Sequence, residues 1–148
     1  MRARDLMSSP PLVVVPGDPL SRAATLMRDH DLGAVPVVDD PASMHPVGIL
    51  TDRDIAVRCV AGGHEGWCTV GGHMTPAPLA AVGPSADVDE VMALMRERRI
   101  RRVMVVEDGR LLGVVAMADV ARGEGPRDPV ATEKLLFRIS EPAHAGAV

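Results

Sequence analysis

Tyrosine is missing from this chain of 148 residues, and phenylalanine and tryptophan occur once each. A core must therefore be built from Val, Leu, Ile, Met and Ala. The composition disfavours a stacking platform for single-stranded nucleic acid, which needs successive aromatic rings. Lysine is nearly as scarce: Lys134 stands alone, the other cationic side chains are Arg, and the net charge is −4. Where arginines cluster, at Arg98, Arg99, Arg101 and Arg102, Glu90, Glu97, Glu107 and Asp108 surround them in sequence, so no nucleic-acid partner is expected. No apolar run approaches the roughly 20 residues that cross a bilayer, and no hydrophobic signal region opens the chain. The expectation is a cytoplasmic protein with no membrane partner. Cys59 and Cys68 are too few for a secreted disulfide scaffold, although one bridge between them stays open. There is no serine in a strand-to-helix elbow, no glycine-rich phosphate loop and no paired histidine motif on a helix, so the chain is not expected to be an enzyme.

What the chain does have is a repeat. Residues 5 to 55 and 72 to 120 read as two copies of one unit. The first opens Asp5-Leu6-Met7-Ser8 and the second Gly72-His73-Met74-Thr75. Both reach a short apolar strand, Leu12 to Val15 and Leu79 to Val82, and then an amphipathic helix in which Leu26-Met27-Arg28 and Leu94-Met95-Arg96 fall in register. The first helix is announced by Asp18-Pro19 and carries Leu20, Ala23, Ala24 and Met27 on one face. The second starts at Asp87-Val-Asp-Glu90, a capping-box pattern, with Val88, Val91, Met92 and Met95 on its stripe. Strands follow at Ala34 to Val38 and Arg102 to Val106. Asp108-Gly109 predicts a tight hairpin into Leu111 to Val115, whereas the first copy uses a longer loop, Asp39 to Pro46. The copies close on Gly48-Ile-Leu-Thr-Asp-Arg-Asp54 and Gly113-Val-Val-Ala-Met-Ala-Asp119, with helices starting at Thr51 and Ala116.

A unit of this size is too small to bury both faces of its sheet, so the halves are expected to pack as a pair. The expected organisation is a first unit at 1–60, a glycine-rich linker at 61–71 with Trp67 plugging the join, a second unit at 72–122 and an extension at 123–148. In that extension a turn-rich break at 123–129 precedes a helix from Val130 to Ser140, read as a brace docking through Val130, Leu135, Leu136 and Ile139.

The order glycine, two apolar residues, a threonine position and an aspartate three further on, occurring twice, resembles the CBS-domain pair, or Bateman module. The resemblance covers about residues 3 to 122. With Ala-Arg-Asp-Leu-Met at its start, Leu-Gly-Ala-Val-Pro-Val inside and Thr-Asp-Arg-Asp-Ile closing the first copy, the chain is most similar to the stand-alone bacterial hypoxic response protein group. The resemblance implies an α/β fold of tandem β-α-β-β-α units packed as one pseudo-two-fold module with a short C-terminal helix. It also implies a regulatory role and a homodimer. Clefts formed between paired units would hold an adenine nucleotide or related adenosyl ligand: AMP, ADP, ATP or S-adenosylmethionine. No cofactor is required, and with no effector domain the output would pass to a separate effector protein.

At Thr51-Asp52-Arg53-Asp54 a strand delivers the chain to a helix start, where free backbone N–H groups favour an anion. Thr51 can offer its hydroxyl to a phosphate and Arg53 can neutralise it. Asp54 would accept ribose hydroxyls, the role the resemblance implies. The same residues also form an ordinary capping-box pattern, and both readings stand. By the resemblance the rest of the first cleft comes from Val13 and Val15 and from Ala34, Val35 and Pro36, which can equally be core. The second cleft would use Leu79, Arg102, Val103, Met104, Ala116 and Asp119. There Ala116 replaces the threonine, Met104 stands where the first copy has Pro36, and Met117-Ala118 replace Asp52-Arg53. Only Asp119 survives, with Arg101 and Arg102 available on the strand side, so the second cleft is expected to be the weaker.

A rival reading uses Cys59, His64, Cys68 and His73, two thiolates and two imidazoles that form a credible tetrahedral zinc set. The spacing is not that of a zinc finger. A metal site, a Cys59–Cys68 redox bridge and two idle buried cysteines all remain readings of these residues. A metal- or redox-responsive interaction protein is therefore the alternative function, and a structural dimer with empty clefts is a further one.

Overall fold

A computed structural model describes residues 1–64, 67–123 and 127–141. It is an α/β protein with two three-stranded sheets, β1-β2-β3 and β4-β5-β6. The chain divides into two compact units that do not follow the repeats in simple order. One, here called the Asp54 unit, contains Pro11–Leu79 with the hairpin tip Asp108–Leu111. The other, the Asp119 unit, contains Met1–Pro10, Ala80–Glu107 and the described residues from Leu112 onward.

In the Asp54 unit, helix α2 (Leu20–His30) buries Leu20, Ala23 and Met27, while Ala24 of the predicted stripe faces solvent. Pro19 rather than Asp18 precedes its first turn. The Asp18 carboxylate instead accepts the Val15 N–H at 3.0 Å and lies 3.5 Å from Arg22 Nε. Strand β1 (Ala34–Val38) is buried throughout and runs antiparallel to β2 (Pro46–Thr51), with Ala34 opposite Thr51 and Val35 opposite Leu50. The strand expected at Leu12 to Val15 shrinks to one parallel bridge, Val14 with Val37. Pro10, Pro11 and Pro16 flank it and have no N–H to extend a ladder. After β2 come a short α3 (Asp52–Asp54) and a π-helix (Ile55–Val60), whose Cys59 joins Val14, Leu20, Val35, Leu50 and Val70 in the core.

In the Asp119 unit, β4 (Ala81–Val82) runs parallel to β5 (Arg102–Glu107), and the sheet is completed by β6 (Arg110–Ala116), whose first two residues are grouped with the hairpin tip of the Asp54 unit. Between β5 and β6, Asp108 and Gly109 take φ of 48° and 76°, the pair of left-handed conformations that a two-residue hairpin of matching twist requires. Helix α4 (Val88–Arg98) buries all four predicted residues, Val88, Val91, Met92 and Met95, and Asp87 caps it by accepting the Asp89 N–H. Helix α5 (Met117–Gly123) follows β6. Helix α6 (Pro129–Ser140) packs through Thr132, Leu135 and Ile139. Of the four residues expected to dock, Leu135 and Ile139 do, whereas Val130 and Leu136 are exposed together with Phe137, because the inward stripe of α6 runs through Thr132, Leu135 and Ile139. The turn-rich break at 123–129 and the end of the extension lie partly outside the described residues.

The segments that open each repeat settle on the opposite repeat's sheet. Helix α1 (Ala3–Leu6) and Ser8 belong to the Asp119 unit, where Ser8 bridges Val114 and Ala3 is fully buried. Strand β3 (Thr75–Pro76) pairs with β2 through Gly48 and Ile49. The closing-strand glycines make these crossings possible. A Cβ at Gly48 would come within 2.5 Å of Met74 Sδ and 2.9 Å of the Thr75 carbonyl; one at Gly113 would come within 2.7 Å of the Ser8 carbonyl. Trp67 does not plug a join: it is 77% exposed. Its neighbour Cys68 turns into the Asp54-unit core, which leaves the adjacent indole facing outward.

Candidate functional site

The end of β2 builds the first candidate corner. Thr51 is the cap of α3: its Oγ1 accepts the Asp54 N–H at 3.0 Å, and Asp54 Oδ2 accepts the Thr51 N–H at 3.0 Å. The reciprocal bonds leave the Thr51 hydroxyl hydrogen free to donate, because its oxygen acts there as the acceptor. The second carboxylate oxygen, Oδ1, lies 3.7 Å from Arg58 Nε, too far for a hydrogen bond and close enough for attraction. The capping box therefore positions one oxygen of Asp54 and leaves the other with accepting capacity. Arg53 is exposed beside it and makes no ion pair among the described residues. Across the ladder Ala34 faces Thr51, and the Asp52 N–H donates to the Gly33 carbonyl at 3.1 Å. Val35 and Pro36 are buried in β1, Val35 within the core cluster; Val13 and Val15 are half-buried on either side of buried Val14.

The second corner repeats this geometry in part. Asp119 Oδ2 accepts the Ala116 N–H at 2.8 Å, as Asp54 does for Thr51. No hydroxyl answers it, since position 116 is alanine. Arg122 is hydrogen-bonded to Asp119 Oδ1 in a close ion pair, so here both carboxylate oxygens are engaged. The Met117 N–H donates to the Arg101 carbonyl at 2.8 Å, which puts Arg101 and Arg102 in the places of Gly33 and Ala34. Val103 and Met104 are buried in β5, and Met104 pairs with Ala81. Leu79 is grouped with the Asp54 unit. The sequence reading missed Arg58 and Arg122. Their signal was an arginine one helical turn after each aspartate, the spacing at which side chains on a helix meet.

A second constellation lies farther along the Asp54 unit. One candidate ligand atom from each of Cys59, His64, Cys68 and His73 lies within 4.8 Å of all the others. Cys59, Cys68 and His73 are buried, and His64 is exposed. His73 Nδ1 faces the Thr69 carbonyl at 2.9 Å, and its Nε2 lies 3.1 Å from His64 Nδ1. The two imidazoles meet edge to face, with ring centres 5.4 Å apart. Burial pushes the Cys68 thiol pKa up, and the neighbouring Cys59 adds in the same direction. Arg58 ties this cluster to the first corner, since its Nη1 donates to the carbonyls of His73 and Met74, both at 3.2 Å.

Comparison with known proteins places this geometry in a family. The CBS domain profile matches residues 3–60 and 70–124. Hypoxic response protein 1 of Mycobacterium tuberculosis is 37% identical over 120 residues, covering 81% of this chain and 82% of that protein. A crystal structure of Hypoxic Response Protein I with two coordinated zinc ions superposes with a TM-score of 0.74 at 35% identity, covering 83% of this chain and 98% of that one. CBSX2 in complex with AMP superposes with a TM-score of 0.71 at 28% identity, covering 85% of this chain and 97% of that one. Two matched domains in tandem, a relative of this identity and coverage, and two closing aspartates holding equivalent caps make the chain a member of the CBS-domain family.

Proposed function

We propose that this protein is a regulatory module whose Thr51–Asp54 corner binds an adenosyl ligand, AMP, ADP, ATP or S-adenosylmethionine, with a weaker site at Asp119. The observation that carries the reading is the state of the Asp54 carboxylate: one oxygen fixed by the Thr51 N–H, the other left to accept ribose hydroxyls. Thr51 keeps a hydroxyl hydrogen for a phosphate oxygen, and exposed Arg53 supplies charge beside it. The AMP complex of CBSX2, a structural neighbour, supports the ligand class. At the second corner a ribose has to displace Arg122 from Asp119, and the hydroxyl donor is absent. A charge-assisted hydrogen bond is worth about 1.5–3 kcal/mol, enough to separate two sites about tenfold or more in affinity.

The regulation is linkage: a ligand that binds one conformation better than another shifts the population, and a separate effector protein reads the shift. The reading includes a homodimer.

A thermal-shift panel of AMP, ADP, ATP, S-adenosylmethionine and GMP tests it, run on the unaltered chain, Asp54→Ala, Arg53→Ala and Asp119→Ala. A ligand at about 100 times its dissociation constant adds roughly 2.7 kcal/mol to the folded state. Expected are a rise with adenine ligands only, its loss in Asp54→Ala, and weaker nucleotide binding in Arg53→Ala, where no cap is disturbed. No rise with any adenine ligand, or equal losses in Asp54→Ala and Asp119→Ala, would overturn the reading or its asymmetry respectively.

A further inference from the structure

We propose that the two corners select different adenosyl ligands: the Asp119 corner, gated by Arg122, takes those that carry several phosphates, whereas the Asp54 corner discriminates little by charge. This selection rests on the adenosyl reading of the corners and divides its ligands between them. The two aspartates are equally sheltered, with side chains 14% exposed at Asp54 and 16% at Asp119. What differs is the arginine one turn on. Arg58 lies four residues after Asp54, in a π-helix, and its Nη1 is occupied by the carbonyls of His73 and Met74, both at 3.2 Å. That hold keeps its Nε 3.7 Å from the carboxylate, and Asp54 Oδ1 stays open. Arg122 lies three residues after Asp119, in an α-helix, and no carbonyl among the described residues holds it. It closes on Asp119 Oδ1 instead, covering the oxygen that a ribose needs.

The charges around the corners differ in the same sense. With Asp54 stand Asp52, Arg53 and Arg58, so acidic and basic side chains balance. With Asp119 stand Arg122 and, on the strand side, Arg101 and Arg102, where the first repeat has Gly33 and Ala34. Met117 and Ala118 replace Asp52 and Arg53, so three arginines accompany one aspartate. Neither Arg101 nor Arg102 makes an ion pair among the described residues. A phosphate chain offers Arg122 a second anion, so the arginine can leave Asp119 without giving up an ion pair, and the ribose takes its place. S-adenosylmethionine offers no such exchange. Its sulfonium and ammonium outweigh its one carboxylate, and it brings net positive charge to a corner already rich in arginine. AMP, with about −1.5 to −2 on a single phosphate, stands between.

Calorimetric titration of the full chain with ATP, AMP and S-adenosylmethionine tests the assignment, run without magnesium, which would cover the phosphates. Asp54→Ala leaves the Asp119 corner to be measured, and Asp119→Ala the Asp54 corner. Should either variant unfold, Asp54→Asn and Asp119→Asn keep an acceptor for the Thr51 and Ala116 N–H groups while weakening the grip on ribose. Affinity should fall steeply from ATP through AMP to S-adenosylmethionine in Asp54→Ala and only slightly in Asp119→Ala. The steepness should fade as salt is raised from about 0.05 to 0.5 M. Each arginine should contribute a factor of about 1.5–5 to the ATP-to-AMP ratio, the range of exposed ion pairs. Adding Arg122→Ala to Asp54→Ala should raise affinity for S-adenosylmethionine and AMP and lower the ATP-to-AMP ratio, whereas a merely structural arginine would move all three ligands together. Equal ATP-to-AMP ratios at the two corners would overturn the proposal and leave the adenosyl reading standing. So would an Asp119 corner that binds none of the three even without Arg122. No binding of any of them to the unaltered chain would overturn the adenosyl reading itself, and this proposal with it.

Discussion

At the scale of single residues, the two repeats form a natural experiment in capping. Thr51 and Asp54 exchange two hydrogen bonds, whereas Ala116 and Asp119 manage one. Ala116→Thr supplies the missing acceptor for the Asp119 N–H and should raise stability by about 1 kcal/mol; Thr51→Ala should lower it by a similar amount, both read from urea melts. Asp39 gives a pH signature. The Ser43 hydroxyl, followed by the Asp40 N–H and His45, holds its carboxyl below the ordinary carboxylate range. A depressed pKa favours the folded state above the unfolded carboxyl pKa and loses that contribution as pH falls through the folded value. The Asp39 side chain is solvated, so the effect on stability is small. The clean readout is its NMR titration, which should move up toward the ordinary value in Ser43→Ala.

At the scale of elements, the closing strands tolerate their crossings only because glycine occupies the contact. Gly48→Ala and Gly113→Ala force backbone carbonyls, of Thr75 and Ser8, away from a new methyl group. Each should cost about 1–3 kcal/mol, as overpacking does, and the loss should exceed that of an alanine placed at Gly17, where a Cβ meets nothing within 4 Å. The π-helix joins the two candidate sites, with Asp54 just before it, Arg58 and Cys59 within it, and Arg58 reaching the carbonyls of His73 and Met74. Arg58→Ala should speed amide exchange at His73 and Met74 and across Ile55–Val60, while leaving α4 unchanged. Equal protection in both proteins would show that the arginine is only a surface charge. Much at this scale could be read from the sequence. The helix stripes of α2 and α4 and the Asp108-Gly109 turn follow from local periodicity and local φ preference. The strand at Leu12 to Val15 did not form as read, because an apolar run says nothing about how many partners its N–H groups will find.

At the scale of the whole molecule, the units are assembled from non-consecutive chain. The Asp119 unit depends on Met1–Pro10: Ala3 is in its core, the Ala3 N–H donates to the Ala86 carbonyl at 2.8 Å, and Ser8 bridges Val114. Removing residues 1–8 should therefore weaken the later repeat, not the one it precedes. Amide protection should fall at Val114 and Val88 and persist at Leu50 and Val35. Loss confined to the first repeat would contradict this assembly. Each unit alone is small for its surface, and borrowing an edge segment is one way to cover a sheet that a short unit cannot cover itself.

The sequence by itself determined the duplication, the composition of the core, the faces of the long helices, the hairpin turn and the pairing of a capping aspartate with each closing strand. All of these are set by interactions within a few residues, where periodicity and backbone preference carry the information. The tertiary structure alone decided which sheet each opening segment joins, that Arg58 and Arg122 hold the two aspartates differently, and that Cys59, His64, Cys68 and His73 converge. Those outcomes depend on contacts between distant positions, fixed by ladder register and by which side chain a turn directs inward, and no local pattern encodes them.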